Sequence, residues 1–189
     1  LRFSGGQEVG TAVPAVRGAL GEHALPEAGH RLQLLTERRI KEKVLKLLTE
    51  AAPGARIDLS MFYLSHRAII RGFIDAKKRG CDVRVILDPA KDAFGRIKNG
   101  IPNRQSAAKL VKAGIPLRWA DTHGEQCHVK MLYVEHPDQT ATLLLGSCNY
   151  TRRNMDDFNC EANLALSAPA ADPNMVRARE TFDRWWSNP

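Results

Sequence analysis

An α/β/α sandwich built on a mixed β-sheet is the fold class this chain predicts, on three observations. Apolar residues recur at helical spacing in Ile40, Val44, Leu47, Leu48 and Ala51, and again in Ile69, Ile70, Phe73 and Ile74. Strand-like alternation runs through Ile57, Leu59 and Met61 and through Val83, Val85 and Leu87. The two periods take turns, which is how layered α/β domains are written in sequence. The second half then changes character: three strand-like runs, 128–134, 141–146 and 158–166, follow one another before a last amphipathic helix.

Taken in order, residues 1–31 are rich in Gly, Ala and Pro with little periodicity, and are expected to be a linker or a packing segment. Residues 32–189 are expected to form the folded domain. Gly80 and Gly114 stand where helix C-caps belong. The basic clusters Arg38-Arg39-x-Lys41-x-Lys43 and Lys77-Lys78-Arg79 fall on predicted helices and read as solvated faces. The loop 88–104 follows a strand end, where α/β proteins bind ligands, and it carries Lys91, Arg96 and Asn103. It is either a substrate-contacting loop or a solvated connection. Gln126, just before the strand at 128–134, is in the same position. Trp185 and Trp186 close the last helix, with at least one ring expected to pack onto the sheet and membrane-interface insertion as the other possibility.

Length and composition fit one domain with a proper core. The chain has 189 residues, 43% hydrophobic and 26% charged, an ordinary globular composition. Its 28 basic against 21 acidic residues give +7, which attracts phospholipid headgroups and nucleic acid alike. No apolar stretch reaches the length of a membrane span and no secretory signal is visible, so membrane contact is expected to be peripheral. The sequence does not fix a location; a cytoplasmic or membrane-associated one is the expectation. Leu1 in place of Met points to an excised segment, with room for a signal or anchor upstream.

The chemistry lies in the three consecutive strand-like runs. Side chains alternate faces along a strand, so His128 and Lys130 share one side while Val129 and Met131 point to the core. A turn with Pro137 and Asp138 joins this run to 141–146 as a hairpin. Ser147 and Asn149 again stand two apart, and Gly146 is expected to let backbone approach a ligand closely. Asn159 and Glu161 share a face of the third run by the same count. A nucleophile, a fixed cation, neutral donors and an orienting carboxylate are what displacement at a phosphodiester needs, without a metal. Cys127, Cys148 and Cys160 alternate with these positions and are expected to be buried thiols turned away from them. The paired Cys-x-x-Cys spacing of a zinc site is absent, so no metal or other cofactor is expected, and four cysteines leave the redox compartment open.

The ordered set His128-x-Lys130, Gly146-Ser147-x-Asn149 and Glu161 resembles the phospholipase D superfamily. Segments 57–64, 79–88, 91–95 and 100–103 resemble its bacterial phospholipase D and cardiolipin synthase-like branch, over about residues 32–187. One position departs: where the family carries Asp, this chain has Glu135, seven residues beyond His128 and of opposite strand parity. It is read as a structural ion-pairing position.

The resemblance implies a two-step displacement. The His128 imidazole attacks phosphorus to give a phosphohistidine, a second histidine protonates the leaving alkoxide, and water or an alcohol then attacks the intermediate. Lys130 and Asn149 would hold the non-bridging oxygens, with Ser147 adding one hydrogen bond. Glu161 would hold an imidazole nitrogen, either of His128 or of the partner histidine. A second His-x-Lys half is needed, and none of His23, His30, His66, His123 and His136 has a lysine two positions on. It must come from a second copy or from a missing N-terminal domain; the favoured expectation is that this chain is the C-terminal half of a two-motif enzyme. Three functions follow: a phospholipid hydrolase or phosphatidyltransferase, a metal-independent nuclease acting as a homodimer, or an incomplete half serving as a pairing surface.

Overall fold

The computed structural model describes residues 29–89 and 102–188 throughout, and the backbone of 23–24, 92–93 and 96–97. The first half runs β1 (His23–Ala24), β2 (Arg31–Thr36), α1 (Arg38–Glu50), β3 (Arg56–Met61), α2 (Arg67–Lys78) and β4 (Asp82–Leu87). A small hairpin, β5 (Asp92–Ala93) with β6 (Arg96–Ile97), precedes α3 (Asn103–Lys112) and β7 (Leu117–Trp119). The second half is β8 (Lys130–Glu135), β9 (Thr140–Gly146), α4 (Arg152–Met155), β10 (Ala162–Pro169) and α5 (Pro173–Ser187).

Eight strands form one sheet in the order β1-β2-β10-β9-β8-β3-β4-β7. Pairing is parallel across β3-β4-β7 and antiparallel elsewhere, so the sheet is mixed. Alternation explains its two layers. Ile57, Leu59, Val83, Val85, Leu132 and Val134 pack on one side with Ile40, Val44 and Leu48 of α1, Ile69 and Phe73 of α2, and Leu110 of α3. Met131, Tyr133, Leu143 and Ala168 pack on the other side with Met175, Ala178 and Phe182 of α5. Helices therefore cover both faces, as an α/β/α sandwich requires.

Helix ends follow the local chemistry. Gly80 and Gly114 lie just beyond α2 and α3 with φ of 94° and 77°, a left-handed conformation that costs glycine nothing. Asp172 caps α5 by accepting from the Asn174 N–H at 2.8 Å. The helix is held to the sheet by an ion network centred on buried Asp58: Arg84 grips Asp58 with two bonds of 2.8 and 2.9 Å, and Asp183 of α5 accepts from Arg84 and Arg56. Trp186 lies between the guanidiniums of Arg84 and Arg118, at 5.4 and 5.2 Å, while Trp185 is exposed. One of the two rings thus packs onto the sheet.

Three features differ from the sequence reading. Strand β2 falls where no strand was expected, because Gln33 rather than a leucine is buried between Leu32 and Leu34. His23 and Ala24, within the expected linker, pair with β2. The third run begins its strand only at Ala162, since Thr151 caps a short helix, α4, and residues 156–161 turn back from it to the sheet.

Candidate active site

The ends of four strands meet at one edge of the sheet. Met61 of β3 pairs with Lys130, Met131 with Leu145, and Gly146 with Asn163. Leaving β9, the chain passes beside β3's extension: Tyr150 N–H donates to the Tyr63 carbonyl at 2.9 Å, and Tyr63 N–H donates to Asn149 Oδ1 at 3.3 Å. Asn149 is half-buried, and with its oxygen engaged its NH2 is the donor end left for a ligand.

His128 lies just before β8, exposed, with its ring tilted against Phe62 at 4.7 Å between centroids. Two contacts fix its backbone. Its N–H donates to the Gln126 carbonyl at 2.9 Å, and the Cys127 N–H donates to buried Asp88 at 2.7 Å. Lys130 is buried, donates its ammonium to the His128 carbonyl at 2.8 Å and lies 5.1 Å from the Phe62 ring centre.

Both reactive groups are displaced from their ordinary acidities. Partial burial and then the Lys130 charge lower the His128 pKa, with Asp88 opposing, so the imidazole favours its neutral form. Burial lowers the Lys130 pKa, and Glu161 works against that by favouring the ammonium.

Glu161 is half-buried and doubly held, accepting from the Ser147 hydroxyl and from the amide of buried Asn154. Ser147 also accepts from the Ala162 N–H at 3.1 Å, while Thr151 donates to Asn154 Oδ1 at 2.5 Å. The acidic group is therefore carried by a relay from α4 to the β9 end. Asn159 does not share its surroundings: it precedes β10 in a turn and accepts from Arg153 at 3.0 Å.

Four expectations need correcting. Gly146 serves close packing within the sheet: a Cβ there would collide with the Ala162 carbonyl and the Asn163 side chain, and Asn163 in turn accepts from the Cys148 N–H at 3.2 Å. Asn103 is fully buried rather than substrate-facing. It accepts from Leu64 N–H at 2.9 Å and donates to the carbonyls of Phe62 at 2.6 Å and Asp88 at 2.9 Å. Cys160 is exposed and Cys127 only half-buried; Cys148 alone of the three is fully buried, its thiol pushed up to about 12 by burial and by Glu161. Val129 is half-buried rather than a core residue, although it packs beside Met131 as the alternation requires.

The remaining candidates fall on the periphery. Gln126 is exposed and lines a cleft with Asp88, Pro89, Thr122, His123, Gly124 and Glu125 beside the His128 loop. Lys91 and the side chain of Arg96 lie outside the described residues. Glu135 sits at the far end of β8, accepting from the Tyr133 hydroxyl at 2.5 Å and from Arg179 at 3.4 Å. Sequence reasoning missed Phe62, Asp88, Tyr63 and Asn154. Asp88 had a signal, because it ends a parallel strand; the others are recruited by tertiary contacts alone.

A mixed sheet with this edge defines a phospholipase D-like domain. The chain belongs to the family described as cardiolipin synthase, PLD-like domain, whose model matches residues 44–186. Members of that superfamily are phosphodiesterases and phosphatidyltransferases. No curated protein matches the chain. Among solved structures, the phospholipase D family member Nuc from Salmonella typhimurium is similar, with TM-score 0.61 and 21% identity over 83% of this chain and 92% of that one. NucT from Helicobacter pylori gives 0.62 and 16% over 83% and 96%. The phosphatidylserine synthase of Haemophilus influenzae Rd KW20 gives 0.60 and 13%, over 83% of this chain and 38% of that one. At these identities the likeness is one of fold.

Proposed function

We propose that this chain carries half of a phospholipase D-type centre that cleaves phosphodiesters or transfers phosphatidyl groups, acting on phospholipid through a phosphohistidine on His128. The observation that carries the reading is the pairing of a solvent-facing imidazole, held toward its neutral form, with a buried ammonium on the next same-side residue. A neutral ring nitrogen has the lone pair that attack on phosphorus requires. The phosphorus–oxygen bond to the leaving group breaks, the departing alkoxide takes a proton from a second imidazole, and water or an alcohol returns that proton as it attacks the adduct. Lys130 and the Asn149 amide hold the non-bridging oxygens, where charge must be stabilised through the transition state. Ser147 and Glu161 keep the strand ends in register and hold the acidic partner ready for an imidazole.

Phospholipid as substrate is supported by the family's description and by the likeness to a phosphatidylserine synthase fold. A second reading, nucleic-acid cleavage without metal by a homodimer, is favoured by one feature. Exposed Phe158, close in sequence to Glu161, carries the Arg152 guanidinium 5.7 Å above its ring, a pairing suited to a base and a phosphate.

The test is to incubate the protein in chelator with anionic phospholipid micelles and, separately, with single-stranded DNA, then quench and map the peptides. An acid-labile phosphoryl adduct on His128, absent in His128→Ala, is expected from the lipid sample. An adduct from DNA alone selects the nuclease. Turnover in His128→Ala sinks both.

A further inference from the structure

The parallel ladder between β3 and β4 ends at Met61 and Leu87. Just past it, one side chain continues the connection. Asn103, the first residue of α3 and fully buried, donates its amide to the Phe62 carbonyl at 2.6 Å and to the Asp88 carbonyl at 2.9 Å, while its oxygen accepts the Leu64 N–H at 2.9 Å. Only asparagine offers two donors and an acceptor on so short a stem. A buried amide satisfied in this way, shielded from competing water, holds its partners stiffly.

Both residues whose carbonyls Asn103 binds go on to hold the segment that carries His128. Phe62 donates its N–H to the Val129 carbonyl at 2.9 Å, and the Asp88 carboxylate accepts the Cys127 N–H at 2.7 Å. The residues on either side of His128 are thus tied to the two backbone positions that one amide joins. The Phe62 ring, 2% exposed, adds the side-chain contact: it lies 4.7 Å from the His128 ring at 57°, 5.1 Å from the Lys130 ammonium, and is backed by the Tyr63 ring at 4.0 Å. We propose that Asn103, acting through Phe62 and Asp88, is a positioning residue that fixes the segment from Cys127 to Val129 and sets the orientation of the His128 ring. Asn103 itself touches no substrate. The effect on rate rests on the reading of His128 as the nucleophile, but the placement of the ring does not. Partial burial holds that ring toward its neutral form, and Phe62 supplies one wall of the burial, so the titration of His128 reports the same contact.

The experiment compares the wild-type chain with Asn103→Ala, Phe62→Leu and Ser106→Ala by nuclear magnetic resonance titration of the His128 ring, by urea unfolding, and by steady-state hydrolysis of bis(p-nitrophenyl) phosphate in chelator. Ser106 is the control. Also buried on α3, it donates its hydroxyl to the Leu64 carbonyl at 2.6 Å, so its loss removes a buried bond between the same helix and the same segment while Phe62 and Asp88 stay held. Ser106→Ala should lower the urea midpoint and leave the His128 titration and the rate as in the wild type. Asn103→Ala and Phe62→Leu should raise the His128 pKa toward its ordinary value. They should also lower kcat by about 10- to 100-fold, the scale of a nucleophile misplaced by a fraction of an ångström to one, with KM within about twofold. If Asn103→Ala does not fold, Phe62→Leu, which keeps every backbone bond, carries the same expectation. A His128 titration unmoved in both variants overturns the proposal. So does a shift in Ser106→Ala as large as that in Asn103→Ala, because the general hold of α3 on the strand would then explain it. Should the ring respond as expected in a wild-type chain that hydrolyses nothing, the positioning stands and the phosphohistidine reading falls.

Discussion

Lys130 donates its ammonium to the carbonyl oxygen of His128, 2.8 Å away, so the cation that would face the phosphate also anchors the backbone of the nucleophile. The same ammonium stands over Phe62, whose ring supports the His128 imidazole. One buried charge thereby holds the backbone of its neighbour and, after burial, adds to the lowering of its pKa. Lys130→Met should remove both effects, and turnover should fall by about 100- to 1,000-fold, the scale of one lost transition-state donor. Steady-state kinetics at saturating substrate checks it, since a change in KM alone would contradict the role.

The acidity can be read separately from the rate. Burial and then the Lys130 charge lower the His128 pKa, so removing that charge should raise it part of the way. In the wild-type protein the acid limb of kcat/KM should lie below the ordinary histidine value of about 6.5. Nuclear magnetic resonance titration of the His128 ring should show an upward move in Lys130→Met. An unmoved or lowered value would mean that the Lys130 charge contributes nothing and that burial alone holds the ring toward its neutral form.

Glu161 accepts from Ser147 and from Asn154, and a glutamine there has one oxygen for two donors. Glu161→Gln should therefore set its NH2 against one of them and cost about 1–3 kcal/mol of stability. Ser147→Ala removes the donor to Glu161 and the acceptor of the Ala162 N–H, both at an exposed position, and should cost about 1 kcal/mol. Urea unfolding separates the two. Equal losses would mean that the carboxylate's second bond is not a stabilising one.

Much of the fold could be read from the chain because its signals are local. Alternation in Ile57-Asp-Leu-Ser-Met and in Val83-Arg-Val reports the two faces of the sheet directly, and the glycines after α2 and α3 mark positive φ. His128 and Lys130 were legible for the same reason, since spacing two puts them on one side of the chain. Asn103 was not. Its surroundings come from Phe62, Leu64 and Asp88, fifteen to forty-one residues away, and nothing in a polar Gly/Pro loop announces that one amide will bind three backbone groups. Strand β2 was hidden because Leu32 and Leu34 lie on a less covered sheet face while Gln33 and Leu35 are buried, which blurs the pattern that marks a strand.

Gly146 shows how a motif position can be structural. Any Cβ there meets the backbone of β10 and the Asn163 side chain, which a flexible neighbour cannot relieve. Gly146→Ala should destabilise the fold by about 1–3 kcal/mol, as overpacking does. Asn163→Ala should recover part of that loss in the Gly146→Ala background, by vacating the space. A double-mutant cycle in urea measures the coupling, and strict additivity would remove Asn163 from the explanation.

The ion network under α5 gives the largest expected effect. Asp58 is fully buried and accepts from both Arg56 and Arg84, and Arg84 is also held by Asp183 and stacked on Phe182 and Trp186. Asp58→Ala leaves two guanidiniums sharing one half-exposed carboxylate, and removing one partner of a buried pair typically costs about 3–5 kcal/mol. Because Trp186 reads the contact between α5 and the sheet, its fluorescence should shift to the red at lower urea in the variant than in the wild type. Loosening α5 would also uncover Met131, Tyr133 and Leu143, so Asp58→Ala should aggregate on warming at a lower temperature than the wild type. Unchanged stability in Asp58→Ala would mean that apolar packing of Met175, Ala178 and Phe182 holds the helix without the ions.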